Sequence, residues 1–321
     1  MGKNFKELFE SSLKSNDTVE WIDKRLLRPI GLLLAFGYNK INVTPNGVTI
    51  ISIVIGVIAG IMFYFPDVKH NVIGAVLLEI ATIHDCADGQ LARLTNRTSR
   101  LGRLLDGFAG DMWFFTIYFC LCCRLTYQPI PFADGVNWGV WVWLLSAFGG
   151  LVCHSRQCAL GDYYRNIHLF FLQAKNGFDL DTSKELKEAL HRCTMKSGII
   201  EILSCFFYSR YCAGQERQTP EFQKLIAHIR RADGSYREIS ASMRNEFLDG
   251  SRPLLKYTNL LTFNLRSLIL YVSCIVGMPW IFLLSDVTLF AAMHLYMRYR
   301  HEALCRRLRL EYYSEDTSEV A

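Results

Sequence analysis

Between Asp85 and Asp111 the chain reads DCADGQLARLTNRTSRLGRLLDGFAGD, with apolar sequence on both sides. Asp85, Asp88, Asp106 and Asp111 are the acids within it. Asp85 and Asp88 are three residues apart, so on a helix their carboxylates share one face. Asp106 and Asp111 open the next apolar run, and acids at the end of one membrane helix can meet acids at the start of the next. Several carboxylates gathered in a low-dielectric place repel one another and take up protons unless a multivalent cation holds them. An all-oxygen ligand set of this kind suits a hard divalent ion, Mg²⁺ or Mn²⁺.

The spacing is Asp85-x2-Asp88-Gly89-x2-Ala92-Arg93-x8-Gly102-x3-Asp106, followed by Asp111. It resembles the signature of the CDP-alcohol phosphotransferases, D-x2-D-G-x2-A-R-x8-G-x3-D-x3-D, at every fixed position except the last. There the family's acid would fall on Gly110, and the acid of this chain comes one residue later. Members of that family are integral membrane enzymes. They move a phospho-lipid or phospho-alcohol from CDP to an acceptor hydroxyl, which attacks the phosphorus on the lipid or alcohol side while CMP departs.

The resemblance implies a pair of divalent ions, Mg²⁺ or Mn²⁺, about 3.5–4 Å apart on the pyrophosphate. It makes Asp85, Asp88 and Asp106 metal ligands and Asp111 both a second-metal ligand and the general base. Asp88 would also face the CDP-linked donor. Gly89 would let backbone approach the nucleotide, Ala92 would leave similar room, and Arg93 would fork onto a phosphate. Gly102 would permit close approach of two helices. The phrase TPNGVT resembles the family's entry to its first membrane helix, which nominates Asn46 and Thr49 as neighbours of the nucleotide. The displaced acid carries its own expectation. On a regular helix position 111 lies about 140° round from Asp106, so a shared cluster requires a widened, π-type turn near Gly107 and Gly110.

The elements that must hold these residues are apolar helices. Half the residues are hydrophobic (51%), and they fall in blocks rather than short periodic elements. Gly47–Phe65 is nineteen residues without a charge, long enough for a hydrocarbon core of about 30 Å. Further spans are expected over 71–91, 103–124, 138–158, 258–276 and 280–297, the last two parted by the tight turn Gly277-Met278-Pro279. The expected fold is an all-α membrane protein of six transmembrane helices. An amphipathic N-terminal juxtamembrane helix precedes them, built around Phe5, Leu8, Phe9, Leu13, Trp21, Ile22 and Leu26. Thr44-Pro45-Asn46 is the cap and turn that starts the first span.

This divides the chain into an interfacial segment (1–46), four spans with the motif (47–160), a polar insertion (161–256), two more spans (257–298) and a tail (299–321). Segments 1–46, 92–103, 156–256 and 298–321 hold 32 of the 35 lysines and arginines. Cations mark the cytoplasmic side, so both termini, the insertion and the motif are expected there, embedded in a lipid bilayer. The net charge of +5 is modest and no nucleic-acid partner is expected. Nor is a cleavable signal peptide evident, and Lys6 spoils the myristoylation pattern after Gly2. The eleven cysteines lack paired C-x2-C blocks and read as small apolar residues.

The insertion, about ninety-five residues, is too long for a simple connection. A short helix should begin at Ser183, another at Thr219-Pro220-Glu221, and the apolar run Gly198–Tyr211 should lie in the membrane interface. The whole reads as a cytoplasmic cap or as an oligomer contact, consistent with a homodimer. Arg266, eight residues into the fifth span, is an intramembrane cation and so a candidate for an anionic acceptor, with Arg156, Arg165 and Arg210 as companions. His84 is expected to pack in its helix and Glu79 to bond a neighbouring helix. Inositol, inositol phosphate and other small polar or lipid alcohols are the acceptors considered. A UbiA-type prenyltransferase would need more spans and two separated acidic motifs. A divalent-cation transporter would place its acids at the bilayer midplane on broken helices.

Overall fold

The computed structural model describes residues 23–313 except 99, 132, 174–179, 193–198 and 232–233. Before residue 23 it describes residues 9, 10, 12, 17, 18, 20 and 21. Phe5, Leu8, Leu13 and Ile22 of the expected amphipathic segment, and Cys193, lie outside the described residues.

The described chain is helical and has no strand, with two isolated β-bridges, Pro129–Asn137 and Arg230–Tyr236. A π-type turn, Asp23–Leu27, leads into α1 (Arg28–Lys40), α2 (Pro45–Met62), α3 (Val68–Leu94) and α4 (Arg100–Leu125). Next come α5 (Gly139–Ala147), a π segment (Phe148–His154) and α6 (Ser155–Gln173). Then follow α7 (Ser183–Arg192), α8 (Ile199–Gln218), α9 (Pro220–Ile229) and α10 (Ala241–Leu261). The last are α11 (Phe263–Ile275), α12 (Trp280–Val287) and α13 (Leu289–Tyr313).

Among the described residues four helical stretches are long and apolar enough to cross a membrane: Pro45–Met62, Leu105–Leu125, Ala241–Ile275 and Trp280–Tyr313. The expected count of six is not reached by that measure, for two physical reasons. Helix α3 is long enough but carries Lys69, Glu79, Asp85, Asp88 and Arg93. The expected fourth span is divided, with α5 giving way to a π segment at Phe148-Gly149-Gly150.

The contacts separate into two compact units. The first comprises residues 1–155 and 264–288. Its centre is α2, whose small residues let α3 and α4 come close. A Cβ added at Gly56 would collide with the Trp113 indole, and one at Gly60 would lie 2.9 Å from Thr116 Cγ2. Across the other seam, a Cβ on Gly74 of α3 would lie 3.1 Å from the Ala59 carbonyl oxygen. Trp113 Nε1 donates to the Ser52 carbonyl at 3.1 Å, which fixes the α2–α4 register. Thr44 caps α2 as expected, accepting from the Gly47 N–H at 3.2 Å. Helix α1 lies on the motif helix, with Ala35, Val48, Ala87 and Leu91 in one buried cluster. At the far end of α4, Arg124 is buried and donates to the Phe63 carbonyl at 3.2 Å and Asn71 Oδ1 at 3.0 Å, tying α4 to the α2–α3 connection.

The second unit comprises residues 156–263 and 289–321. The short helix begins at Ser183 as read from the sequence, and α8 presents Leu203, Phe206, Phe207 and Tyr211 outward while burying Cys205, Cys212 and Gln215. Helix α9 starts at Pro220 with Thr219 in the N-cap position, as read from the sequence, but the Thr219 hydroxyl makes no cap bond and donates to the Gln215 carbonyl at 3.0 Å instead. The free N–H of Glu221 is taken by Glu302 Oε2 of α13 at 2.6 Å, so a distant carboxylate does the capping. Every cysteine described is a free thiol.

Candidate active site

Asp85, Asp88 and Asp106 converge: α3 presents the first two and α4 the third, with one oxygen of each within 4.8 Å of the others. The i, i+3 spacing delivers the α3 pair on one face, as expected. Asp88 is buried, Asp85 half-buried and Asp106 exposed, so the trio has a protected floor and an open side. Thr49 on α2 donates its hydroxyl to Asp88 Oδ2, and the same hydroxyl lies 3.1 Å from the Pro45 carbonyl. Thr49 therefore fixes one lobe of the Asp88 carboxylate and leaves the other for the cluster. Asn46, one turn earlier, is half-buried at the start of α2.

Three carboxylates this close, two of them withdrawn from solvent, are stable together only if protons or a cation offset their repulsion. Every donor atom is an oxygen. The set fits a hard divalent ion of the Mg²⁺ or Mn²⁺ kind and suits a soft metal poorly.

The remaining motif residues have defined places. The Arg93 guanidinium lies against Gly89, where an added Cβ would sit 3.3 Å from Nη1. Arg93 Nε donates to the Ser12 carbonyl at 2.5 Å, so one edge of the guanidinium is already used. Gln90, the next residue after Gly89, is fully buried and ties the same helix to the N-terminal segment through Arg28 O at 3.1 Å and Ser12 Oγ at 3.2 Å. Ala92 and Gly102 are half-buried. His84 bonds the Ile80 carbonyl at 2.7 Å and Glu79 accepts from Tyr271 at 2.9 Å, both as the sequence suggested.

Two expectations need correction. The turn between Asp106 and Asp111 is not widened: α4 is α-helical from Arg100 to Leu125. Gly107 and Gly110 have open space around them and are not used for a distortion. Asp111 is accordingly turned away from the face of Asp106, is exposed, and is not one of the three converging acids. The π geometry is found instead at Phe148–His154.

Arg266 is the second correction. Its side chain is completely buried and forms an ion pair with Asp286 of α12, itself completely buried. Asp286 also accepts from the Tyr118 hydroxyl, which stands 3.1 Å from His154 Nδ1. Its charge is offset by Asp286 and its side chain is fully out of solvent, so its observed partners lie within the helix packing. The π segment helps build this network, because it brings His154 and Gly150 against Tyr118; a Cβ at Gly150 would be 3.1 Å from the ring. Sequence reasoning missed Asp286, although an acid seven residues into an apolar span was a visible signal. Among the weaker candidates, Arg165 pairs with Asp162 at 3.7 Å and Thr262 at 2.9 Å, and Arg210 lies over the Phe206 ring. Arg156 is exposed at the start of the second unit.

Helices α2 to α4 thus gather an acidic trio between α3 and α4 whose oxygens could hold a metal ion. Residues 42–159 match the family model described as CDP-alcohol phosphatidyltransferase. It is 34% identical over 83 residues to an archaetidylinositol phosphate synthase of Pyrococcus horikoshii, covering 26% of this chain and 40% of the relative. A bifunctional IPC transferase and DIPP synthase of Aquifex aeolicus is 27% identical over 122 residues, covering 37% of this chain and 26% of the relative. A putative cardiolipin synthase of Mycobacterium bovis is 30% identical over 79 residues, covering 25% of this chain and 37% of the relative. The chain thus spans less than half the length of these curated relatives.

Proposed function

We propose that the protein is a membrane phosphotransferase of phospholipid biosynthesis. It moves a phosphatidyl or related phospho-alcohol group from a CDP-linked donor to an acceptor hydroxyl and releases CMP. The observation that carries this reading is the convergence of Asp85, Asp88 and Asp106, with Thr49 bonded to Asp88, inside the stretch that matches the family model. In this reading the three aspartates hold Mg²⁺ or Mn²⁺, two ions by analogy with the family. Such an ion supplies charge stabilisation on the phosphoryl oxygens.

The protein's own groups do the rest. Thr49 holds Asp88 in one rotamer. Arg93, with Nε committed to Ser12, turns its Nη groups to the donor phosphate. Gly89, Ala92 and Gly102 leave room for the donor, and Asn46 stands beside the nucleotide. Asp111, exposed and on another face of α4, lies outside the reacting groups in this reading. The acceptor is inositol or inositol phosphate, a choice supported by the name of the Pyrococcus relative. The site faces the cytoplasm in this reading, on the strength of the cation distribution.

The test is incubation of detergent-purified protein with a CDP-linked lipid and one acceptor at a time, reading CMP release and the lipid product. Inositol or inositol phosphate should give a phosphoinositol lipid with equimolar CMP. CMP release with glycerol phosphate or a lipid hydroxyl alone would reassign the acceptor, and no CMP with any acceptor would remove the reading.

A further inference from the structure

The second unit contains another group of metal-ligand side chains, unrelated to the acidic trio. On α13, His301, Glu302 and Cys305 each direct one ligand atom to a common point, with all three atoms within 4.8 Å of one another. His301 and Cys305 are one helical turn apart and buried; Glu302 is adjacent and its side chain is only 13% exposed. His301 Nδ1 lies 3.6 Å from Cys305 Sγ and 3.8 Å from Glu302 Oε1. Tetrahedral zinc, with bonds of about 2.0–2.3 Å, places a nitrogen and a sulfur ligand about 3.6 Å apart. The His301–Cys305 separation already matches, and His301–Glu302 needs only a few tenths of an ångström of closure.

A second observation points to a cation at this place. Glu302 divides its carboxylate: Oε2 caps the Glu221 N–H at 2.6 Å, whereas Oε1 is buried and has no hydrogen-bond partner among the described residues. A buried carboxylate oxygen left unbonded beside a thiol and an imidazole is costly unless a proton or metal occupies the gap. The imidazole is also held in a fixed plane. It stacks on Tyr164 at 3.8 Å, with Phe222 and Phe247 edge-on to it, so its Nδ1 cannot turn away from the cluster. Of the three, Glu302 lines a cavity of about 710 Å³, together with Glu221, Arg298, Tyr299 and Arg306, so the cluster lies one side chain beneath that opening.

We propose that His301 Nδ1, Cys305 Sγ and Glu302 Oε1 form a binding site for a thiophilic divalent ion of the zinc class. The donor set decides the metal: thiolate and imidazole select zinc, and a single carboxylate is too few oxygens for Mg²⁺ or Ca²⁺. Charge agrees with the location. A thiolate and a carboxylate neutralise a divalent ion, so the complex adds no net charge beside Arg298, Arg306 and Arg307. Glu221, on the same cavity, is already paired with Lys224 and Arg309, whose hydrogen bonds hold its carboxyl below the usual range. Because Glu302 also caps α9, an ion here would fasten α13 to α9 and stiffen the second unit. The proposal is independent of the phosphotransfer reading.

The test uses the full-length protein in detergent, stripped with chelator, reloaded with zinc or cobalt, desalted, and compared with the Asp88→Asn, Cys305→Ser and His301→Gln variants. About one tightly held zinc per chain is expected in wild type and in Asp88→Asn, undisplaced by excess Mg²⁺. The Co²⁺-loaded protein should show a thiolate-to-cobalt charge-transfer band in the near ultraviolet. Both signals should be lost in Cys305→Ser, and zinc affinity should fall at least tenfold in His301→Gln. Zinc retained in Cys305→Ser, or no charge-transfer band in wild type, overturns the site. Should Cys305→Ser fail to fold, X-ray absorption on the zinc-loaded wild type decides. One sulfur with nitrogen and oxygen neighbours supports the site, and an oxygen-only or all-sulfur shell overturns it.

Discussion

Replacing Arg266 by Met removes one half of an ion pair whose two side chains are both fully out of solvent. What remains is the Asp286 carboxylate with a neutral donor, the Tyr118 hydroxyl, in place of a guanidinium. Breaking a buried pair from one side costs about 3–5 kcal/mol, because the surviving charge keeps its desolvation penalty and loses its partner. At 1.4 kcal/mol per factor of ten, this is about 140- to 3,700-fold in the unfolding equilibrium. The double replacement Arg266→Met with Asp286→Leu removes both charges and should recover most of that loss. Tyr118 then still has His154 Nδ1 at 3.1 Å. Denaturant titration of wild type, Arg266→Met, Asp286→Leu and the double variant in detergent gives the coupling energy directly, and acceptor KM is measured on the same samples. A single Arg266→Met variant with wild-type stability and a raised acceptor KM would refute the structural assignment and restore Arg266 as an acceptor-binding residue.

Two further outcomes follow from the site. Thr49→Val keeps the shape of α2 but deletes the hydroxyl that fixes Asp88, so Mn²⁺ affinity and turnover should each drop about tenfold, as expected for one lost charge-assisted bond, with little change in the melting midpoint. Unchanged metal affinity would show that Asp88 does not depend on Thr49. Asp111→Asn should leave both Mn²⁺ binding and turnover near wild type, because Asp111 stands outside the trio and on another face of α4. Loss of metal with Asp111→Asn would mean that the acid joins the cluster in the working enzyme.

The legible part of this chain was the part carried by short-range spacing. Asp85 and Asp88 share a helix face because they are three residues apart, and Thr44-Pro45 starts α2 because a hydroxyl cap and a residue without an N–H suit a helix's first turn. Glu79 found a neighbouring helix, as a lone acid in an apolar run must. What the sequence could not show was partnership over long separations. Arg266 looked like a cation waiting for a ligand, since Asp286 and Tyr118 answer it from elements fixed only by packing. The same holds for α9, where Thr219-Pro220 is a sound cap sequence locally, yet Glu302 from α13 supplies the bond. The place of the π geometry was misjudged for a related reason. Gly107 and Gly110 permit a widened turn, but permission is not a driving force, and nothing packs there to require one. At Gly149 and Gly150 the packing of Tyr118 and Asp286 does.

The central claim is that Asp85, Asp88 and Asp106 work as one metal-dependent site for a CDP-linked donor. The most direct measurement is CMP release from a CDP-linked lipid by purified wild-type and Asp88→Asn proteins, with Mg²⁺ or Mn²⁺ and with chelator. The account predicts turnover only in wild type with metal, and an Asp88→Asn variant that is folded, silent and unable to bind Mn²⁺. CMP release by Asp88→Asn in the presence of chelator would contradict it.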